Sequence, residues 1–336
     1  MNVTFLIGNG FDLNLGLKTK YSDFVKEYVA ETDGDADQIK NFKKRIKANP
    51  DLWSSAELAL GQYTGDFSGE NAAEDFVSCY DDFRYKLANY LINEEKGFNI
   101  DTSKDKFVPA MVRWGSYFRE EEKRQIEESL KKCDGGIDYN FISYNYTTTL
   151  DKYLQYAKTN VNIGDRSVRG HAYKNQIKSL IHVHGTVEKD MIMGVDNLSQ
   201  LAKPEIFDSV APEYLADIIK IENNKMCGEN TDSKAHTLLN NSDFIYIYGM
   251  SLGKTDATWW RRICEIMNKN KNAQTIIYKY DAPEREVLRR VRVTFDNEVK
   301  KNLTYYCDFD QDVKAEIEQR IHVQENNLFK ALSPSL

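Results

Sequence analysis

Short apolar runs bounded by turn residues recur along the chain, each of strand rather than helix length. Residues 3–7, 139–143, 179–183, 243–248 and 275–280 form five of them, and 303–307 reads as a last one. Of the four that follow the first, three lead into sequence with helical spacing. That alternation predicts a parallel sheet with helices on both faces. From about residue 34 to 132 the period changes, and apolar positions such as Phe76-Tyr80-Phe83-Leu87-Leu91 and Phe118-Ile126-Leu130 follow the helical repeat. The pattern therefore predicts an α/β fold, a Rossmann-like three-layer parallel sheet with a large helical insertion. Residues 1–33 and 134–310 build the nucleotide-binding domain, 34–133 the helical insertion subdomain, and 311–336 a C-terminal helix and tail. A helix is also expected over about 21–31, with Ser22 and Asp23 supplying capping oxygens.

In such sheets ligands bind beyond the carboxyl ends of the strands, and the small polar motifs fall there. The first run feeds into Gly8-Asn9-Gly10-Phe11-Asp12. Glycine permits close backbone approach, and the N-terminus of a following helix offers N–H groups to a phosphate, so a phosphorylated nucleotide is the expected ligand. Leu13 stands where the dinucleotide fingerprint places a third glycine, and Gly16 comes too late. A tight turn without a ligand is the plain alternative. Later strand ends carry Tyr144-Asn145-Tyr146-Thr147-Thr148-Thr149, His182-Val183-His184-Gly185-Thr186, and Gly249-Met250-Ser251-Leu252-Gly253-Lys254-Thr255-Asp256. Four such motifs converging on one crevice weigh more than any one of them.

Charge and composition narrow the partners. With 45 Lys and Arg against 52 Asp and Glu among 336 residues, the net charge is −7. That gives no global attraction to nucleic acid. The basic stretches 40–47 and 285–292 read first as solvated helix faces, the second being the better candidate for an anionic contact. No apolar run approaches the roughly 20 residues that span a bilayer, and the Met1-Asn2 start carries no basic leader. A cytoplasmic protein without membrane association is expected. The five cysteines are scattered and form no C-x-x-C pair, which predicts reduced thiols and argues against a disulfide framework or a zinc site.

Gly8-Asn9-Gly10-Phe11-Asp12-Leu13, the stretch Gly16-Leu17-Lys18-Thr19-Lys20-Tyr21-Ser22-Asp23-Phe24, Asn145-Tyr146-Thr147, His184-Gly185 and the Gly249–Asp256 motif together resemble the AbiH family of bacterial phage abortive-infection proteins. The same landmarks are distantly similar to sirtuin-like NAD-binding domains of other anti-phage systems. The resemblance implies NAD as substrate or ligand. Gly8 and Gly10 would line its pyrophosphate with Asn9 and Asp12 nearby, Asn145 and His184 would flank the nicotinamide ribose, and Gly249 and Ser251 would face the adenosine half. It also implies a phage-derived trigger and allows a homo-oligomer. Two positions depart from the sirtuin-like pattern. Thr147 stands where Asp usually follows Asn-Tyr, and the first loop carries Phe-Asp in place of a small residue and Ser.

Cleaving the N-glycosidic bond of NAD requires stabilisation of an oxocarbenium-like transition state and a positioned water or ribose hydroxyl. Nicotinamide leaves as a neutral group, so strong acid catalysis is unnecessary. His184, with an ordinary pKa of about 6.5, suits a general base. Asn145 would orient ribose or water, and Asp12 or Asp23 would stabilise the developing positive charge. Gly185 completes the expected binding set. Each assignment has a plainer competitor. His184 satisfies a backbone carbonyl, His182 and His184 form a metal pair lacking a third ligand, and Asn145 caps a helix. Gly249-Met250-Ser251-Leu252-Gly253 has the form of a nucleophile elbow, with His322 and Asp281, Asp308 or Asp310 downstream. No metal is expected. A nucleotide-sensing module without catalysis and a metal-dependent nuclease using Asp12 with Asp23 remain the alternatives to an NAD-hydrolysing enzyme.

Overall fold

The computed structural model describes residues 1–334 except 32, 117, 229, 325 and 281–288. Its strands are β1 (Asn2–Ile7), β2 (Asp138–Ser143), β3 (Asp165–Val168), β4 (His171–Lys174), β5 (Gln176–His182), β6 (Phe244–Tyr248), β7 (Gln274–Tyr278) and β8 (Ile321–Gln324). Six of them form a parallel sheet in the order β5-β2-β1-β6-β7-β8, while β3 and β4 make a separate antiparallel hairpin. Numbered along the chain, the strands of the large sheet run 3-2-1-4-5-6. This is the doubly wound order, in which the winding reverses between the first and fourth strands. Here that switch lies between β1 and β6. Ile7 pairs in register with Ser143 on one side and with Tyr248 on the other, so three strand ends stand level at that point.

Along the chain, α1 (Gly10–Asn14), α2 (Tyr21–Tyr28), α3 (Asp37–Ala48), α4 (Ala56–Tyr63), α5 (Ala72–Lys96), α6 (Lys104–Met111) and α7 (Glu120–Lys132) lie between β1 and β2. Helix α8 (Thr149–Asn160) follows β2, and α9 (Pro212–Ile218), α10 (Lys220–Met226) and α11 (Thr231–Asn240) precede β6. Helix α12 (Ala257–Lys269) leads to β7, and α13 (Arg289–Thr304) and α14 (Gln311–Glu318) lead to β8. No helix among the described residues is long and apolar enough to cross a membrane.

The central strands are apolar on both faces because both are covered, as expected of a parallel sheet. Side chains alternate between faces along a strand. Phe5, Phe141 and Tyr246 therefore meet Phe107 of α6, Tyr153 of α8 and Ile126 of α7 on one side. Leu6, Ile142 and Ile247 meet Leu239 of α11, Trp260 of α12 and Leu303 of α13 on the other. A third core gathers α2 to α5 around Phe24, Phe42, Trp53, Phe76 and Phe83, and takes in Met193, Val195, Ile218 and Ile219 from beyond β5. Within residues 34–133, then, α3 to α5 build that helical core while α6 and α7 pack on the sheet.

Four expectations are corrected. Residues 303–307 are not a strand: α13 runs to Thr304 with Val299 and Leu303 buried one turn apart, and Cys307 is buried just beyond its end. The sixth strand is β8, inside the segment expected to be a helix and tail. It was hidden because His322 and Gln324 interrupt its apolar pattern; both are satisfied internally, by Gln274 (2.8 Å) and by Tyr246 (2.6 Å) respectively. The cysteines are not all reduced. Cys264 and Cys307 form a disulfide across 43 residues of sequence, a pairing that only the packing of α12 against the end of α13 creates. Ser22 and Asp23 sit inside the first turn of α2, and no side chain caps that helix. Within the basic stretch 40–47, Lys43 is buried against Asp35 at 2.8 Å. Arg285 and Asp281 lie outside the described residues.

Candidate functional site

Beyond the level ends of β1, β2 and β6 lies a cleft of about 270 Å³. It is lined from the β1 end by Gly8, Asn9 and Asp12, from β2 by Tyr144, Asn145, Tyr146 and Thr147, from β5 by His184, and from β6 by Gly249, Met250 and Ser251. The helical subdomain closes one side with Tyr21, Glu57, Leu87 and Leu91. Seven sequence-predicted residues, Gly8, Asn9, Asp12, Asn145, His184, Gly249 and Ser251, thus share one wall system at the switch point. The other three stand elsewhere. Gly10 is packed behind the cleft against Gly249. Gly185 turns away at φ +64 and borders the neighbouring cavity with His182. Asp23 pairs with Lys26 (3.2 Å) on α2 and does not line the cleft.

The glycines serve loop packing first. A Cβ on Gly10 would stand 2.4 Å from the Gly249 Cα, and Gly249 itself adopts φ +70, so neither position accepts a side chain. The Gly10 N–H donates to Gly249 O at 2.9 Å and the Phe11 N–H to Gly8 O at 3.0 Å. Those first amides of α1 are therefore engaged within the chain, and a phosphate expected at this helix N-terminus meets occupied donors beside a buried carboxylate.

That carboxylate is Asp12, 1% exposed. Thr147 donates its hydroxyl to one oxygen (2.6 Å) and Thr149 to the other (2.5 Å). Burial pushes the carboxyl from 3.8 up to about 6, against the pull of these hydrogen bonds. The nearby Asn145 amide also favours the ionised form, although neither of its polar atoms completes a hydrogen bond. Asn145 is 5% exposed, and its buried amide, on a residue that lines the cleft, is an unpaired donor and acceptor. His184, 7% exposed, stands edge-on to the Tyr144 ring at 5.4 Å. Burial, with Lys220 nearby, drives its pKa well below 6.5, so the imidazole is neutral. The expectation of a histidine poised near physiological pH is thereby revised, because the site withholds the water that would solvate an imidazolium.

Opposite lies a cluster whose lysine, Lys220, sequence reasoning missed. Lys220 Nζ sits 2.7 Å from Glu57 Oε2 and 3.5 Å from Asp256 Oδ1. Burial alone would lower the Lys220 ammonium, yet Glu57 and Asp256 outweigh it and hold it above its usual value. Burial raises the Glu57 carboxyl, with Lys220 pulling the other way. The Tyr146 hydroxyl lies 3.1 Å from both Glu57 Oε1 and Ile192 O, and the Tyr21 hydroxyl 3.4 Å from the same Glu57 oxygen. Lys220 carried one legible signal, a lysine set within the apolar run Ile218-Ile219-Lys220-Ile221. Nothing in the sequence tied it to Glu57.

The competing constellations are not assembled. His182 pairs with Asp151 (3.0 Å) and His184 faces the cleft, and no group of three or more metal-type side chains forms among the described residues. His322, required by an elbow serine, is buried on β8 against Gln274. Asp12 and Asp23, required together by a nuclease, do not share the cleft.

Sheet order and the cleft at the switch point define an α/β protein of Rossmann-like fold. Comparison with curated proteins and with solved structures yields no match. The sequence model of the AbiH family, bacteriophage abortive infection, matches residues 4–278. The chain belongs to that family, which supports an anti-phage abortive-infection role.

Proposed function

We propose that the protein carries out abortive infection by hydrolysing NAD in the switch-point cleft, breaking the bond between ribose C1′ and nicotinamide. The observation that carries this reading is Asp12, a buried carboxylate clasped by two threonine hydroxyls beside the open amide of Asn145 and a neutral His184. Such a carboxylate in a dry site stabilises positive charge developing on the ribose far better than it would in water. Water adds at C1′, the electron pair of the C1′–N bond leaves with neutral nicotinamide, and the water proton passes to a base. Of the two candidates, burial raises the Asp12 carboxyl to about 6 and depresses the His184 imidazole well below 6.5, so the proton is assigned to Asp12. The proton-accepting role first expected of His184 therefore passes to Asp12, and His184 orients a ribose hydroxyl.

The two departures from the sirtuin-like pattern support the reading together. That pattern has a hydroxyl in the first loop and a carboxylate after Asn-Tyr. Here the carboxylate is Asp12 and the hydroxyl Thr147, and the two are hydrogen-bonded to each other. The cleft, at about 270 Å³, falls just under the roughly 300–1,000 Å³ typical of ligand sites. It suits the nicotinamide riboside end, with the remainder of the dinucleotide along the open mouth.

The test is nicotinamide and ADP-ribose release from NAD by the purified full chain, with and without a phage-derived trigger. Release that is abolished in Asp12→Asn and in Asn145→Ala is expected. NAD that stays intact in cells arrested by the wild-type protein after infection refutes the reading. A second reading, nucleotide sensing without turnover, is favoured by the share of the wall that the helical subdomain supplies through Tyr21, Glu57, Leu87 and Leu91. Tight NAD binding with no released nicotinamide would select it.

A further inference from the structure

We propose that the floor of the cleft is a subsite for a cationic pyridinium carboxamide, so that the protein binds the oxidised dinucleotide in preference to the reduced one. This rests on the assignment of the cleft to NAD. Charge carries the first half. Asp12, Glu57 and Asp256 line the cleft against a single ammonium, Lys220, and no other Lys or Arg lines it among the described residues. Three carboxylates against one ammonium leave two negative charges in excess when all are ionised. Buried charge that its partners do not neutralise is unfavourable in a low-dielectric site. A ligand cation between Asp12 and the Lys220 cluster relieves it, whereas a phosphate there is repelled and keeps to the mouth. The rings of Tyr21, Tyr144 and Tyr146 also line the cleft, and such faces attract cations.

The amide carries the second half, through an independent observation. Both the Oδ1 and Nδ2 atoms of Asn145 are buried without a hydrogen-bond partner, and the residue lines the cleft. An adjacent donor and acceptor match the C=O and NH₂ of a carboxamide in reverse order. A carboxylate in the same place offers only acceptors, leaves the Asn145 oxygen unpaired and faces the negative floor.

Probes that cannot be hydrolysed separate this inference from the proposed reaction. 1-Methylnicotinamide has the charge and the amide but no ribosyl bond. Its 1,4-dihydro form lacks the charge, and 1-methylnicotinate lacks the amide. Calorimetric titration of the full chain should show the first binding at least about tenfold tighter than either of the others, a ratio equal to about 1.4 kcal/mol. Asp256→Asn, at a partly exposed position, and Glu57→Gln should each shrink the preference for the charged ring. Asn145→Ala should remove the preference over the nicotinate. Equal affinity for the charged and neutral rings, no binding of the cation, or a charge preference unchanged in both Asp256→Asn and Glu57→Gln overturns the inference. A wild-type protein that shows the preference but releases no nicotinamide from NAD refutes the hydrolysis alone.

Discussion

Asp12→Asn should make the protein more stable and inactive at once. Burial moves the Asp12 carboxyl from 3.8 to about 6, and a tenfold change in a proton equilibrium corresponds to about 1.36 kcal/mol. Keeping it ionised in the folded state at pH 7 therefore costs about 3 kcal/mol. The sign follows from linkage. A carboxyl whose folded pKa is raised favours folding most when it is protonated, below the unfolded value near 3.8, and loses that advantage as pH rises through about 6. Asparagine is neutral throughout, nearly isosteric, and leaves Thr147 and Thr149 able to rotate their hydroxyls to suit it. The variant should gain about 3 kcal/mol over wild type at pH 7 and about half of that at pH 5. Urea unfolding of both proteins at pH 5, 6 and 7 reads this directly. A stability difference that does not vary with pH, or a variant less stable than wild type at pH 7, refutes the account of Asp12 as a strained, functionally retained charge.

Thr147→Val removes one of the two hydroxyls that hold the ionised Asp12. Hydrogen bonds to charged groups contribute about 1.5–3 kcal/mol, so the acid limb of nicotinamide release should move about one to two pH units upward; a pH–rate profile checks it. Lys220→Met leaves Glu57 and Asp256 without their ammonium and should destabilise the fold by about 3–5 kcal/mol at neutral pH, measured by urea midpoint. Gly249→Ala forces a Cβ to 2.7 Å from the Gly10 Cα at φ +70, and thermal unfolding should register a loss of at least about 1–3 kcal/mol. Gly97→Ala, with nothing within 4 Å of its Cβ, is the control and should stay within about 0.5 kcal/mol.

Much of the fold was legible because parallel strands are short, doubly buried and apolar. Residues 3–7, 139–143 and 243–248 announced β1, β2 and β6 to within a residue or so. Pattern failed where polarity or period misled it. His322 and Gln324 disguised β8, since their partners Gln274 and Tyr246 come from other strands. In 303–307, local β-forming residues outweighed the four-residue spacing from Val299 that marks a helix. The pairing of Cys264 with Cys307 likewise had no local signature.

The site divides along the same line. Residue type and position just past a strand end were enough to place Gly8, Asn9, Asp12, Asn145, His184, Gly249 and Ser251, because a doubly wound sheet brings its carboxyl ends to one crevice. Burial and distant pairing lay beyond that. The Asp12 carboxyl is raised to about 6 and His184 stays neutral only because the packed interior removes water from both. Lys220 joins Glu57 and Asp256 across three separate elements, so no spacing along the chain encodes it. The sequence by itself determined the parallel α/β class, most of its strands and the polar residues at their carboxyl ends, since these follow from local pattern. The tertiary structure alone decided which charges face one another and how strongly each holds its proton, because those depend on long-range contacts and desolvation.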